Sequence, residues 1–162
     1  MDEKKLRAYA RLIARMGVNV QPGQEVVIRS EPEQTDFLEM LIDECYRAGA
    51  GKVSVEWRFA PALRLDIKYQ SDETLGAVEQ WAEQRLRERA EKLPANIYLD
   101  SDDPDGLSGV DQDKWARAQR ERFKVTKPYR DAMENKYQWC VAAVPGREER
   151  RILRRELPRV VP

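Results

Sequence analysis

The chain has 162 residues, of which 36% are charged, with 29 basic side chains balancing 29 acidic ones for a formal net charge of zero. That length suffices for one domain with a real core, the balance lacks the basic excess of a nucleic-acid or membrane-surface protein, and no apolar run approaches the ~20 residues of a membrane span. The absence of histidine removes the commonest general base, the Ser-His and Cys-His nucleophile pairs and the commonest transition-metal ligand.

The amino-terminus is amphipathic and has no signal-peptide apolar region, so the cytoplasm is the default location, with neither nucleic acid nor membrane expected as a partner. Residues 2–16 read as a helix, with Leu6, Tyr9, Ala10, Ile13 and Met16 on one face. Asn19-Val20-Gln21-Pro22-Gly23 then stops it, because Pro fixes φ and Gly allows positive φ. Glu25-Val26-Val27-Ile28 opens a first strand over 24–29, apolar enough to be buried on both faces. It ends in Arg29 and Ser30. In a parallel sheet ligands bind beyond the carboxyl ends of strands, so these two are candidates for lining a cleft; alternatively they leave the sheet and help cap the next helix.

A second helix over 33–48 carries Leu38, Leu41, Ile42 and Cys45 on one face and ends at Gly49. Ala48-Gly49-Ala50-Gly51-Lys52 is not a phosphate loop, because position 46 is Tyr and the run precedes a strand instead of coming after one. The second strand, 52–58, alternates Val53, Val55 and Trp57 with Ser54, Glu56 and Arg58, as a strand near a sheet edge would. Pro61 starts a short helix over 61–69, with Leu63, Ile67 and Tyr69 as its buried positions. Ser71 caps a long helix over 72–92 whose apolar face is Leu75, Val78, Ala82 and Leu86.

The third strand, 96–100, runs into the acidic segment Ser101-Asp102-Asp103-Pro104-Asp105-Gly106. A calcium loop is disfavoured there by Pro104, by Ser in place of the first Asp, and by Gln112 where a bidentate Glu belongs. Turn chemistry is the simpler reading, with Asp111 capping the next helix. That helix, over 111–126, holds Trp115, Ala118 and Phe123. Pro128 predicts a break and a separate helix over 127–135, with Tyr129 and Met133 inward. The fourth strand, 137–144, is an apolar run that suits a buried strand. Residues 146–162 carry six Arg against three Glu, so the balanced total leaves residues 1–145 at −3. This tail is either a frayed end or a short docking helix on Ile152, Leu153 and Leu157. Cys45 and Cys140 sit in apolar settings and read as small core residues. The fold class expected is α/β: a three-layer, mostly parallel four-stranded sheet with helices on both faces, each crossover right-handed.

Gly17-Val18-Asn19-Val20-Gln21-Pro22-Gly23-Gln24, Glu44-Cys45-Tyr46-Arg47-Ala48-Gly49-Ala50, the acidic stretch Ser101–Asp105 with Gly109-Val110-Asp111, Ala116-Arg117-Ala118-Gln119, Lys127-Pro128-Tyr129-Arg130 and Trp139–Pro145 succeed one another along the chain. In that order they resemble the thermophilic metallo-aminopeptidases of the T, S and II type, a leucyl aminopeptidase family, over about residues 4–145. The resemblance implies an amino-terminal α/β domain, residues 1–145, with no catalytic residue and no metal ligand of its own. Zinc, cobalt or manganese would belong to a carboxyl-terminal catalytic domain of the full-length enzyme. The partners it implies are that missing domain and a second copy in a homo-oligomer. Trp57 and Phe59 at the end of the second strand, with Trp81 on the long helix, are the candidate interface residues. The alternative to this non-catalytic domain of a peptide-hydrolysing enzyme is a free-standing α/β module that binds a small anion or a protein.

Overall fold

The turn at Asn19–Gly23 sets the register of the sheet. In a computed structural model, which describes residues 3–100 and 107–144, helix α1 (Glu3–Leu12) runs into one wide turn, Ile13–Gly17, that carries its last carbonyls to Val18 and Val20. Strand β1 (Glu25–Ser30) comes next, then a tight turn at Pro32–Gln34, helix α2 (Thr35–Arg47) and strand β2 (Lys52–Trp57). Gly49 closes α2 at φ 111°, a conformation that only glycine adopts without strain, and a Cβ on Gly51 would stand 2.6 Å from the Gly23 carbonyl oxygen. That close approach brings the turns before β1 and β2 together: Gly23 N–H donates to Gly49 O at 2.8 Å, and Gly51 N–H to Gln24 O at 2.9 Å. Two strands so aligned at their start pair in register, Val26 with Val53 and Ile28 with Val55.

Helices α3 (Ala60–Tyr69), α4 (Asp72–Gly76) and α5 (Gln80–Lys92) precede β3 (Ala95–Asp100), and α6 (Gln112–Met133) precedes β4 (Trp139–Ala143). The sheet order is β2-β1-β3-β4 and every pairing is parallel, so the fold is the α/β class expected. The described residues form two compact units. The first draws on the described residues within Met1–Arg58, Ala95–Asp102 and Gln138–Pro162, and holds the sheet with α1 and α2. Its core joins Ala10, Ile13 and Ala14 of the α1 segment, Phe37, Leu38, Leu41 and Cys45 of α2, and Val26, Ile28, Ile97, Leu99 and Ala142 of the strands. The second, Phe59–Pro94 with the described part of Asp103–Tyr137, is helical and has its own small core of Ile67, Leu75 and Ala118.

Four local expectations are corrected. The helix over 72–92 breaks at Ala77–Glu79. Gly76 is buried where a Cβ would come within 3.6 Å of the Ala118 backbone, and glycine is a poor helix former, so α4 ends against α6. Arg122 Nη1 takes up the freed Ala77 carbonyl at 2.9 Å. Conversely, Pro128 does not divide α6, which runs unbroken to Met133. Proline forfeits one backbone bond, whereas ending and restarting the helix would orphan four carbonyls and four N–H groups. Strand β4, expected to be buried, stands last in the order of the described strands: Trp139 is 62% exposed and Val141 56%. An apolar run suits an inner or an outer place, and strand order decides between them. Finally Met16, Tyr69 and Phe123, expected inward, are exposed. The acidic segment 101–106 and the tail 146–162 lie outside the described residues.

Candidate functional site

The chain leaves β1 for β2 on one side, then returns past β1 to β3 on the other. Such a switch of direction opens a crevice between the carboxyl ends of β1 and β3, where ligands of open parallel sheets enter. Three residues of the first unit meet there: Glu31 after β1, Arg58 after β2 and Asp100 at the end of β3. Backbone pairing continues one step beyond β2, with Arg58 N–H donating to Ser30 O at 2.8 Å. That step aims the Arg58 side chain across the end of β1. Its Nη2 reaches Glu31 Oε1 at 3.3 Å, the Leu99 carbonyl at 3.3 Å and Asp100 Oδ1 at 3.5 Å. The crevice is therefore bridged by the chain's own guanidinium, flanked by two carboxylates.

Beneath this bridge lies a neutral network. Gln34 is fully buried, and its Oε1 accepts from Ser30 Oγ at 3.1 Å and from Glu31 N–H at 2.9 Å, while its Nε2 donates to Val144 O at 3.4 Å. The Glu31 side chain in turn accepts from the Gln34 N–H, so the two residues form a reciprocal capping box that starts the turn into α2.

The two cleft candidates are thus separated. Side chains alternate along a strand, so Arg29 and Ser30 face opposite sides of the sheet. Ser30 is buried and turned toward Gln34, and lines no cleft. Arg29 lies on the other face, its Nε 2.9 Å from Glu56 Oε2 and its guanidinium carbon 4.9 Å from the centre of the Tyr98 ring. Register places the three side by side, Arg29 opposite both Glu56 and Tyr98. Of the candidate interface residues, Trp57 belongs to the first unit, Phe59 and Trp81 to the second, and all three are exposed at 54%, 52% and 67%. Sequence reading passed over Glu31, Gln34, Arg58 and Asp100. The spacing of Glu31 and Gln34, an acceptor three residues before a Gln at the head of a helix, was the signal available.

The two cysteines offer no ready nucleophile. Cys45 is buried, which pushes its thiol up to about 12, and burial also raises that of Cys140, so neither is a thiolate at neutral pH. Among the described residues no group of three or more Cys, Asp or Glu is placed to hold a metal ion. The described residues do not fit a metal centre. A charge cluster away from the crevice joins α1 to α2. There Glu44, 1% exposed, takes Arg11 Nε at 3.1 Å and Arg7 Nη1 at 3.3 Å, and Arg7 also bonds Asp43 at 2.6 Å. The Arg11 hydrogen bond, aided by Arg7, holds the Glu44 carboxyl below its ordinary value against the opposing effect of burial. In the second unit a hollow of about 380 Å³ is lined by Arg64, Lys68 and Lys114 beside Asp111. Asp111 is committed to capping α6 through Lys114 N–H at 2.9 Å, and Lys114 Nζ to Gln70 O at 2.6 Å. No helix among the described residues is long and apolar enough to cross a membrane.

Comparison with known proteins supplies what the geometry does not. The sequence profile of a family described as thermophilic metalloprotease (M29) matches residues 2–154. Aminopeptidase AmpS of Bacillus subtilis (strain 168) is 31% identical over 139 residues, which cover 85% of this chain and 34% of that protein. Aminopeptidase PepS of Streptococcus thermophilus is 29% identical over 147 residues, 90% of this chain and 36% of that protein. The solved structure of wild-type AmpT from Thermus thermophilus superposes with a TM-score of 0.79 at 26% identity, over 94% of this chain and 41% of that one. The chain thus spans little more than a third of the length of the curated relatives it matches.

Proposed function

The chain belongs to the thermophilic metalloprotease family M29, and on that premise we propose that it is the amino-terminal, non-catalytic domain of a metal-dependent aminopeptidase. In this reading it flanks the entrance to an active site whose zinc, cobalt or manganese ions are held by a carboxyl-terminal catalytic domain. It also takes part in assembling a homo-oligomer, and it works in the cytoplasm. The observation that carries the reading is one of extent. The match runs over nearly the whole chain yet over only 34% of AmpS, and no metal-holding group occurs among the described residues. A two-metal hydrolase needs several carboxylate or imidazole donors in one open site. The anion-binding alternative is weakened because Arg29 and Arg58 are already paired with carboxylates.

Two assays test the proposal. The isolated chain, supplied with cobalt or zinc, is expected to release no leucine from leucyl peptides; turnover by the pure protein would overturn the non-catalytic role. A chimera carrying residues 1–144 in place of the matching region of Bacillus subtilis AmpS is expected to hydrolyse leucyl peptides. A folded, metal-loaded but inactive chimera counts against a shared amino-terminal role.

A further inference from the structure

The hollow of the second unit gathers more positive than negative charge. Arg64, Leu65, Ile67 and Lys68 of α3 form one wall, and the turn 108–111 with Lys114 of α6 forms the other, around about 380 Å³. Three cations thus line it against one carboxylate, Asp111. Arg64 and Lys68 stand one helical turn apart, a spacing at which like charges destabilise a helix and an acid in either place would stabilise it. Asp66 lies two residues from each, off that face, and accepts from Gln70 Nε2 at 2.8 Å. Asp111 does not offset the cations in full. It caps α6 through Lys114 N–H at 2.9 Å, so its charge faces the positive end of that helix. Together with Asp113 it also acts on the Arg117 guanidinium, which is raised chiefly by its hydrogen bond to Asp72. The lysines meet neutral groups: Lys68 Nζ lies 4.9 Å from the centre of the Tyr69 ring, and Lys114 Nζ donates to the Gln70 carbonyl at 2.6 Å.

We propose that this hollow binds a small carboxylate with an apolar body. Arg64 offers a planar fork of N–H donors that matches the two oxygens of a carboxylate, and Lys68 and Lys114 add point charges. Leu65, Ile67 and Val110 give the body an apolar surface, from which a bare inorganic anion gains nothing. A free aliphatic amino acid and the carboxyl end of a short peptide share this chemistry. They differ at the nitrogen, because the free amino acid carries an ammonium, for which Asp111 is the one carboxylate in the lining. Cleavage of a peptide at its amino end leaves both kinds of carboxylate behind. The proposal stands on the lining of the hollow alone and does not require the aminopeptidase reading.

Amide chemical shifts of the 162-residue chain, followed as isocaproate is added, test it. The expected result is saturable movement of the Lys68, Ser108, Gly109 and Val110 signals, with a Kd on the order of 1 mM for so few ligand atoms. Arg64→Gln and, separately, Lys68→Gln are expected to weaken binding about tenfold or more. Both side chains are exposed, so the rest of the spectrum is expected to stay as it was. Arg120→Gln, an equal loss of charge on α6 outside the lining, is expected to leave binding unchanged. Leucine binding more tightly than N-acetyl-leucine assigns the site to free amino acids, and the reverse order assigns it to peptide ends. No saturable shift at about tenfold that concentration overturns the proposal, whatever fills the hollow instead. So does isocaproamide or inorganic phosphate binding as tightly as isocaproate, or binding that Arg64→Gln and Lys68→Gln both leave intact. Activity of the AmpS chimera is read separately, so failure of the hollow and failure of the aminopeptidase reading are distinguishable.

Discussion

Replacing Gln34 by Leu removes one buried amide that touches three partners. The Ser30 hydroxyl at 3.1 Å, the Glu31 N–H at 2.9 Å and the Val144 carbonyl at 3.4 Å all lose it, and Ser30 itself is fully buried. A neutral hydrogen bond contributes about 1 kcal/mol net, and a buried group left without its partner costs about 1–3 kcal/mol. The Val144 bond is long, and Ser30 keeps a 3.3 Å contact to the Glu31 carbonyl, which places the sum at the lower end. A net loss of about 2–3 kcal/mol results. With a urea m-value of about 2 kcal/mol/M, the midpoint falls by about 1 M at constant m. Circular dichroism in a urea series reads this, with Glu39→Ala on the exposed side of α2 as the neutral control. Because Ser30 and Gln34 share a bond, Ser30→Ala combined with Gln34→Leu is expected to fall short of additivity by about 1 kcal/mol. A loss below about 0.5 kcal/mol, or full additivity, would refute the claim that this network ties the carboxyl ends of β1 and β4 together.

Acid lability should trace to the α1–α2 carboxylates. Glu44 is held below its ordinary 4.5, chiefly by Arg11, and Asp43 below 3.8, chiefly by Arg7. A depressed folded value contributes stability that is present above the unfolded value and lost as pH falls through the folded one. Thermal midpoints should therefore drop as pH falls below about 4.5, and Glu44→Gln should flatten that slope; an unchanged slope rejects it. Gly51→Ala pushes a methyl to 2.6 Å from the Gly23 carbonyl and is expected to cost about 1–3 kcal/mol in chemical denaturation. Pro128→Ala restores a backbone bond within α6 and is expected to stabilise the chain by about 1–3 kcal/mol, read as a raised melting temperature. A lower one would show that the proline is required where it stands.

Much of the α/β order was legible because its signals are local. Val26-Val27-Ile28 and Ile97-Tyr98-Leu99 read as strands from their own side chains, and Ser71 and Asp111 cap helices through N–H groups three residues away. The site at the crevice was not legible. Arg29 and Ser30 looked like neighbours in a cleft because they adjoin in sequence, yet strand alternation sends them to opposite faces. Arg58 stood at a strand end with no local cue to its use. Its partners, Glu31 and Asp100, lie 27 and 42 residues away, and only the β2-β1-β3 order brings them within its reach.

The sequence by itself determined the turn at Asn19–Gly23, which segments are strands, and that this chain supplies no histidine. Each is a property of a residue type or of a few adjacent residues: glycine's reach into positive φ, β-branched stiffness, an absent side chain. Tertiary structure alone decided which apolar strand is central and which stands last among the described strands. Burial of β1 and exposure of β4 depend on what lies alongside each strand, and side chains as alike as Val27 and Val141 carry no record of their neighbours.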